Sequence, residues 1–140
     1  MYAVDRDPNA LRHLGHTVRR TGAGAEIHSV VADFTRPMGL PVLHGVVLAN
    51  VLHFVPYDEQ ARVLGQIARL VDAGGSIVVV EYERRAANRW VPYPVSFEAL
   101  GVLTRGLRLG TPTRLATRPS RYSGSIYSAF VRCGASAGSP

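Results

Sequence analysis

The chain has 140 residues, 46% of them hydrophobic, enough for one domain with its own core, and no apolar run reaches the ~18 residues of a membrane span. The net charge is +6 and all sixteen basic residues are Arg; the six from Gly101 onward have no acidic residue among them, but they are scattered among Gly, Pro and Thr, so no nucleic-acid partner is expected. A single cysteine, Cys133, excludes an internal disulfide and fits a reducing cytoplasm.

The elements follow in chain order. Tyr2, Ala3 and Val4 make a short apolar strand that ends in Asp5. Asp7 is a good N-cap, Pro8 suits the first helical position, and Ala10, Leu11 and Leu14 begin an apolar stripe that fades between Arg20 and Gly22. Ile27 to Val31 reads as a second strand, with Asp33 at its tip. After the loop "TRPMGLP", the stretch His44 to Val55 reads as a third strand. Its run Val46 to Ala49 is continuous, as in a strand buried on both faces. Asp58 is positioned to cap a helix that extends to Val71, and residues 72 to 76 form a turn. "IVVVEY" is the clearest strand, with Glu81 and Tyr82 at its end. A polar and aromatic loop runs from Arg84 to Pro94, Ser96 caps another helix, and "RLATR" and "SIYSAFVR" read as two closing strands. Residues 1–132 form the domain and 133–140 a small-residue, disordered tail. Strands alternating with helices indicate an α/β architecture: a mostly parallel sheet with helices on both faces and an antiparallel C-terminal edge.

The segment "GVVLANVLHFV", the helix "DEQARVLGQIARLV", the turn "DAGG" and the strand "SIVVVEYE" together resemble class I S-adenosylmethionine-dependent methyltransferases. "YAVDRDP" is similar to the second strand of that Rossmann-like fold and "VVADF" to the tip of the third. Where the family has a Pro-Gly-Gly turn, this chain has Ala73-Gly74-Gly75. The resemblance implies methyl transfer from S-adenosylmethionine to a small-molecule acceptor.

Carried over residue by residue, it assigns the cofactor to Asp5, Arg6, Asp33, Phe34, Ala49 and Asn50. A carboxylate at Asp5 would accept from both ribose hydroxyls. Asp33 and the Phe34 backbone N–H would meet the adenine amine and ring nitrogen, and Ala49 and Asn50 the methionine portion. His53 and Glu81 are the candidate catalytic bases. Tyr82, Trp90, Tyr93 and Phe97 are the candidate acceptor-pocket residues. Each has a plainer reading as well. Asp5 can simply precede a capped helix, Asp33 can form an Asx-turn, Asn50 can cap the next helical segment, and His53 and the aromatics can be packing residues.

The chain departs from the family more severely in a second respect. The first strand and its Gly-x-Gly-x-Gly turn are absent from this sequence, although the family order 3-2-1-4-5-7-6 puts that strand between the second and the fourth. A truncated domain, weak in cofactor binding and inactive by itself, is therefore expected, with open sheet edges through which copies associate. The rival readings are a non-catalytic, methyltransferase-like interaction protein and a nicotinamide-dependent dehydrogenase. The latter cannot use a Tyr-x-x-x-Lys set, because the chain has no Lys.

Overall fold

The computed structural model describes residues 1–22, 24–122 and 124–134. Two compact units divide the chain, Met1–Gly39 and Leu40–Pro140.

In the first unit, β1 (Tyr2–Asp5) is followed by α1 (Pro8–Thr21) and β2 (His28–Val31). The helix begins where its sequence says it should. Asp7 accepts from the Asn9 N–H at 2.8 Å, and Pro8 occupies the first turn. It stops at Gly22, which takes the left-handed φ of 63°, with Arg19 and Arg20 in the last turn against the carbonyl end of the dipole. β1 and β2 pair in parallel with Asp5 opposite Val31, so Asp5 and Asp33 lie at the carboxyl ends of neighbouring strands.

The second unit contains β3 (Leu43–Ala49), a short 3₁₀ turn (Leu52–Phe54), α2 (Tyr57–Ala68), β4 (Val71–Tyr82), α3 (Phe97–Gly106), β5 (Thr113–Pro119) and β6 (Ser125–Arg132). Its sheet has the order β3-β4-β6-β5. β3 and β4 are parallel, and β6 is antiparallel to both of its neighbours, so β3, β4 and β5 share one direction and β6 alone is reversed. The register sets Val46, Ile77 and Val131 in one row and Leu48, Val79 and Ala129 in the next. With Tyr127 beside Glu81, these rows meet the buried stripe of α2 (Val63, Leu64, Ile67) and Leu100 of α3 to form the core.

The structure corrects several sequence expectations. The N-cap of α2 is Pro56, and Asp58 lies inside the first turn, where with Glu59 it favours the positive end of the dipole. That helix ends at Ala68, before Val71, because Val71 already pairs with Leu43 of β3. Residues 72 to 76 are not a separate turn. They bulge within β4, since Leu43 pairs with Val71 but Gly45 pairs with Ser76. Both glycines of "DAGG" serve the bulge. Gly74 has a φ of 86°, and a Cβ on Gly75 would lie 2.6 Å from the His44 carbonyl oxygen. The third strand breaks after Ala49, because Asn50 adopts a left-handed φ of 55°.

At the C-terminal end, Cys133 is buried, donates its N–H to Gly75 and accepts from Gly74. Burial pushes its thiol pKa up, which suits an inert cysteine. Residues 135–140 of the expected tail lie outside the described residues. No helix among the described residues is long and apolar enough to cross a membrane.

Candidate functional site

In the first unit, Asp5 projects from the end of β1. Its Oδ1 accepts from the Asp7 N–H at 2.8 Å, and its backbone carbonyl accepts from Ala32. Asp33, two residues beyond β2, forms the Asx-turn anticipated as its plainer reading. Its Oδ1 accepts from the Thr35 hydroxyl at 2.7 Å and the Thr35 N–H at 2.9 Å. Those two bonds, with smaller contributions from Arg6 and Arg36, hold its carboxyl below the usual carboxylate range. Phe34 follows in the same turn.

In the second unit, the carboxyl ends of β3 and β4 form a denser cluster. Asn50 donates its backbone N–H to Val80 at 2.8 Å. Its side-chain Oδ1 is buried and has no hydrogen-bond partner, so it does not cap the following 3₁₀ turn. Glu81 is fully buried. Its Oε1 accepts from the backbone N–H groups of Leu52 (2.9 Å) and His53 (3.3 Å), and its Oε2 lies 2.7 Å from His53 Nδ1. A carboxylate in that position accepts a hydrogen bond from Nδ1–H, which keeps the ring proton on Nδ1 and leaves Nε2 as the lone-pair nitrogen of the ring. The imidazole is wedged between Phe54 (centroids 4.3 Å apart) and Tyr82 (5.5 Å).

His53, Asn50, Tyr82 and Trp90 border one cavity of about 500 Å³, together with Phe54, Arg84, Asn88, Val91 and Tyr122. The sequence-predicted residues Tyr82 and Trp90 thus come together with His53. Tyr93 and Phe97 are not in that lining. Tyr93 packs edge-on against Tyr57, and its backbone N–H donates to the His53 carbonyl at 3.0 Å. Phe97 packs edge-on against Tyr127 and under the Arg114 guanidinium, 4.2 Å from the ring centroid. Ala49 ends β3, directly before Asn50.

Gln60 was missed by sequence reasoning. Buried in α2, it donates from Nε2 to the carbonyls of Val55 (3.1 Å) and Tyr93 (3.0 Å), which ties the loop carrying Tyr93 to the segment carrying His53. Its signal was its spacing, three and four residues before Val63 and Leu64 on the buried stripe. Asn88 was missed as well. Its Oδ1 accepts from the N–H groups of Trp90 and Val91 and so shapes the cavity wall. No cluster of three or more metal-ligating side chains occurs among the described residues.

A scan against protein-family models finds no match, and a search of curated proteins finds none either. Solved structures do match, over nearly the whole chain. The N-methyltransferase NodS from Bradyrhizobium japonicum, in complex with S-adenosyl-L-homocysteine, superposes with a TM-score of 0.69 at 16% identity. The 1,6-didemethyltoxoflavin-N1-methyltransferase of Burkholderia thailandensis superposes with a TM-score of 0.71 at 20% identity. Each match covers 94% of this chain. The fold is that of class I S-adenosylmethionine-dependent methyltransferases. An O-methyltransferase from neocarzinostatin biosynthesis matches 93% of the chain, with a TM-score of 0.65 at 20% identity. The chain spans 65%, 60% and 40% of the lengths of these three proteins. In the methyltransferase strand order 3-2-1-4-5-7-6, β2 and β1 stand for strands three and two, and β3-β4-β6-β5 for 4-5-7-6. No counterpart of the first strand is among the described residues.

Proposed function

We propose that this chain is the methyl-transfer domain of an enzyme that uses S-adenosylmethionine to methylate a hydroxyl group of a small molecule. The observation that carries this reading is the buried His53–Glu81 pair on the border of a 500 Å³ cavity, within a methyltransferase fold.

The residues present fit the cofactor. The buried, unpartnered Oδ1 of Asn50 is an acceptor suited to the ammonium of the methionine portion. Asp5 and Asp33 each commit Oδ1 to a neighbouring N–H, which leaves Oδ2 for the ribose hydroxyls and the adenine amine respectively. Arg6 and the Phe34 N–H belong to the same reading. When bound, S-adenosylmethionine supplies a sulfonium methyl for a single in-line displacement.

The chain's own part is to hold the acceptor and manage its proton. His53 Nε2 takes the proton from the acceptor hydroxyl, and Glu81 stabilises the imidazolium that results. In this role Glu81 orients His53 and is not itself a base. The bound substrate of the Burkholderia enzyme and the 1,4-dihydroxy-2-naphthoic acid bound to the neocarzinostatin enzyme are small molecules, which supports a small-molecule acceptor here.

A titration of the ¹⁵N-labelled 140-residue chain with S-adenosylhomocysteine tests the cofactor assignment. Affinity on the order of millimolar is expected, because the sequence has no Gly-x-Gly-x-Gly turn. Amide shifts at Asp5, Asp33 and Asn50 would support the reading; their absence at millimolar ligand would reject it.

A second reading has its own observation. Among the described residues β3 has β4 as its single strand neighbour, and Val47 on it is 67% exposed. Such an edge suits association with another chain, as in a non-catalytic interaction protein. Concentration-dependent sedimentation favours that reading, and a monodisperse monomer opposes it.

A further inference from the structure

We infer that the acceptor is a flat aromatic hydroxy acid, whose ring lies among Phe54, Tyr82, Trp90 and Tyr122, with its hydroxyl on His53 and its anionic group on Arg84. The word acceptor rests on the methyl-transfer reading; the ligand class rests on the cavity itself.

Three large aromatic side chains are left open to solvent here: Phe54 at 60%, Trp90 at 68% and Tyr122 at 83%. A scattered exposed aromatic is ordinary, but three that converge with Tyr82 on one cavity mark a binding surface. Aromatic walls select flat rings through stacked and edge-on contacts. A volume of about 500 Å³ suits a ligand of two or three fused rings, within the ~300–1,000 Å³ of small-molecule sites.

The polar groups define the ligand further. Arg84 is half-buried in the cavity wall and makes no ion pair among the described residues. Its Nε donates to the Ala86 carbonyl at 2.7 Å, which anchors the guanidinium and leaves the terminal nitrogens for a ligand. Among the described residues no carboxylate borders the cavity: Glu81 lies beneath His53 and Glu83 is paired with Arg114. A cation without a counter-ion on an aromatic-walled cavity recognises an aromatic anion. His53 Nε2, with no partner among the described residues, accepts from a hydroxyl on the same ring system.

The test compares three probes on the 140-residue protein: 1-hydroxy-2-naphthoic acid, 1-naphthol and 1-naphthoic acid. Calorimetry gives the affinities, and Trp90 is a built-in reporter as the single tryptophan of the chain. The hydroxy acid should bind about tenfold more tightly than 1-naphthol, and Arg84→Gln should remove that difference while leaving 1-naphthol unchanged. His53→Ala should weaken the hydroxy acid and spare 1-naphthoic acid. Equal affinity for acid and naphthol, uniform weakening of all probes by Arg84→Gln, or no binding of any probe would each overturn the inference. The cofactor reading is judged separately, by the shifts that S-adenosylhomocysteine causes at Asp5 and Asp33.

Discussion

His53 and Glu81 form a buried pair, with Nδ1 2.7 Å from Oε2, although 28 positions separate them in the chain. The parallel pairing of β3 with β4 brings them together, because it carries the ends of both strands to the same edge of the sheet. Glu81 also collects the N–H groups of Leu52 and His53, so one carboxylate fixes both the backbone and the ring of the histidine.

Glu81→Gln keeps the shape but turns one acceptor oxygen into a donor facing N–H groups. A hydrogen bond to a charged group is worth about 1.5–3 kcal/mol, and a loss of at least that size is expected in chemical denaturation. A variant as stable as the parent would mean that the carboxylate is dispensable to the fold.

Tyr127 donates its hydroxyl to the Val95 carbonyl at 2.8 Å, and both residues are buried. Tyr127→Phe leaves that carbonyl without its donor, at a cost of about 1–3 kcal/mol. Burial, and then the charges of Glu81 and Glu83, push the phenol pKa far above its ordinary value. A raised folded-state value means that the stabilisation is complete below the unfolded pKa of about 10 and is lost as pH rises toward the folded one. In an alkaline spectrophotometric titration, one of the six tyrosines should therefore ionise only on unfolding. Six tyrosines titrating together in the folded protein would oppose this.

Asp33 has the opposite sign. Its bonds from Thr35 depress the folded-state value, so the stabilisation is present above the ordinary carboxylate pKa and disappears as pH falls through the lowered one. Thr35→Val should move the Asp33 titration, followed by carboxyl ¹³C NMR, back toward the ordinary value. The stability difference between variant and parent should be present at neutral pH and vanish in strong acid. An Asp33 titration that stays put in the variant would remove the threonine hydroxyl as its cause.

Much of this arrangement was legible in the residues. Asp7-Pro8 announced α1 because capping is a local interaction, and "IVVVEY" announced β4 because β-branched residues suit a strand. The run Val46 to Ala49 reads as a strand buried on both faces, but Val47 is exposed, because burial depends on what packs on each face and not on the run itself. Positions set by long-range pairing were harder. Asp72 to Ser76 carries turn residues, yet β3 draws it into β4 as a bulge. Tyr93 and Phe97 read as pocket aromatics because they are near Trp90 in sequence, but Tyr57 and Tyr127 draw their rings elsewhere. Arg84 was legible only as a loop residue, since its place on the cavity depends on how residues 83 to 91 fold over the end of the sheet. The aromatic cluster was half visible: Tyr82 and Trp90 were singled out, whereas Phe54 and Tyr122 reach the cavity from distant segments.

The position of the proton on His53 is the most direct test of the chemistry proposed for the cavity. Long-range ¹H–¹⁵N NMR of the ring distinguishes the two neutral tautomers. Protonated Nδ1 and bare Nε2 are expected, with that preference lost in Glu81→Gln. A ring protonated at Nε2 in the parent protein would leave no lone pair for the acceptor hydroxyl, and would contradict the assignment of His53 as the base.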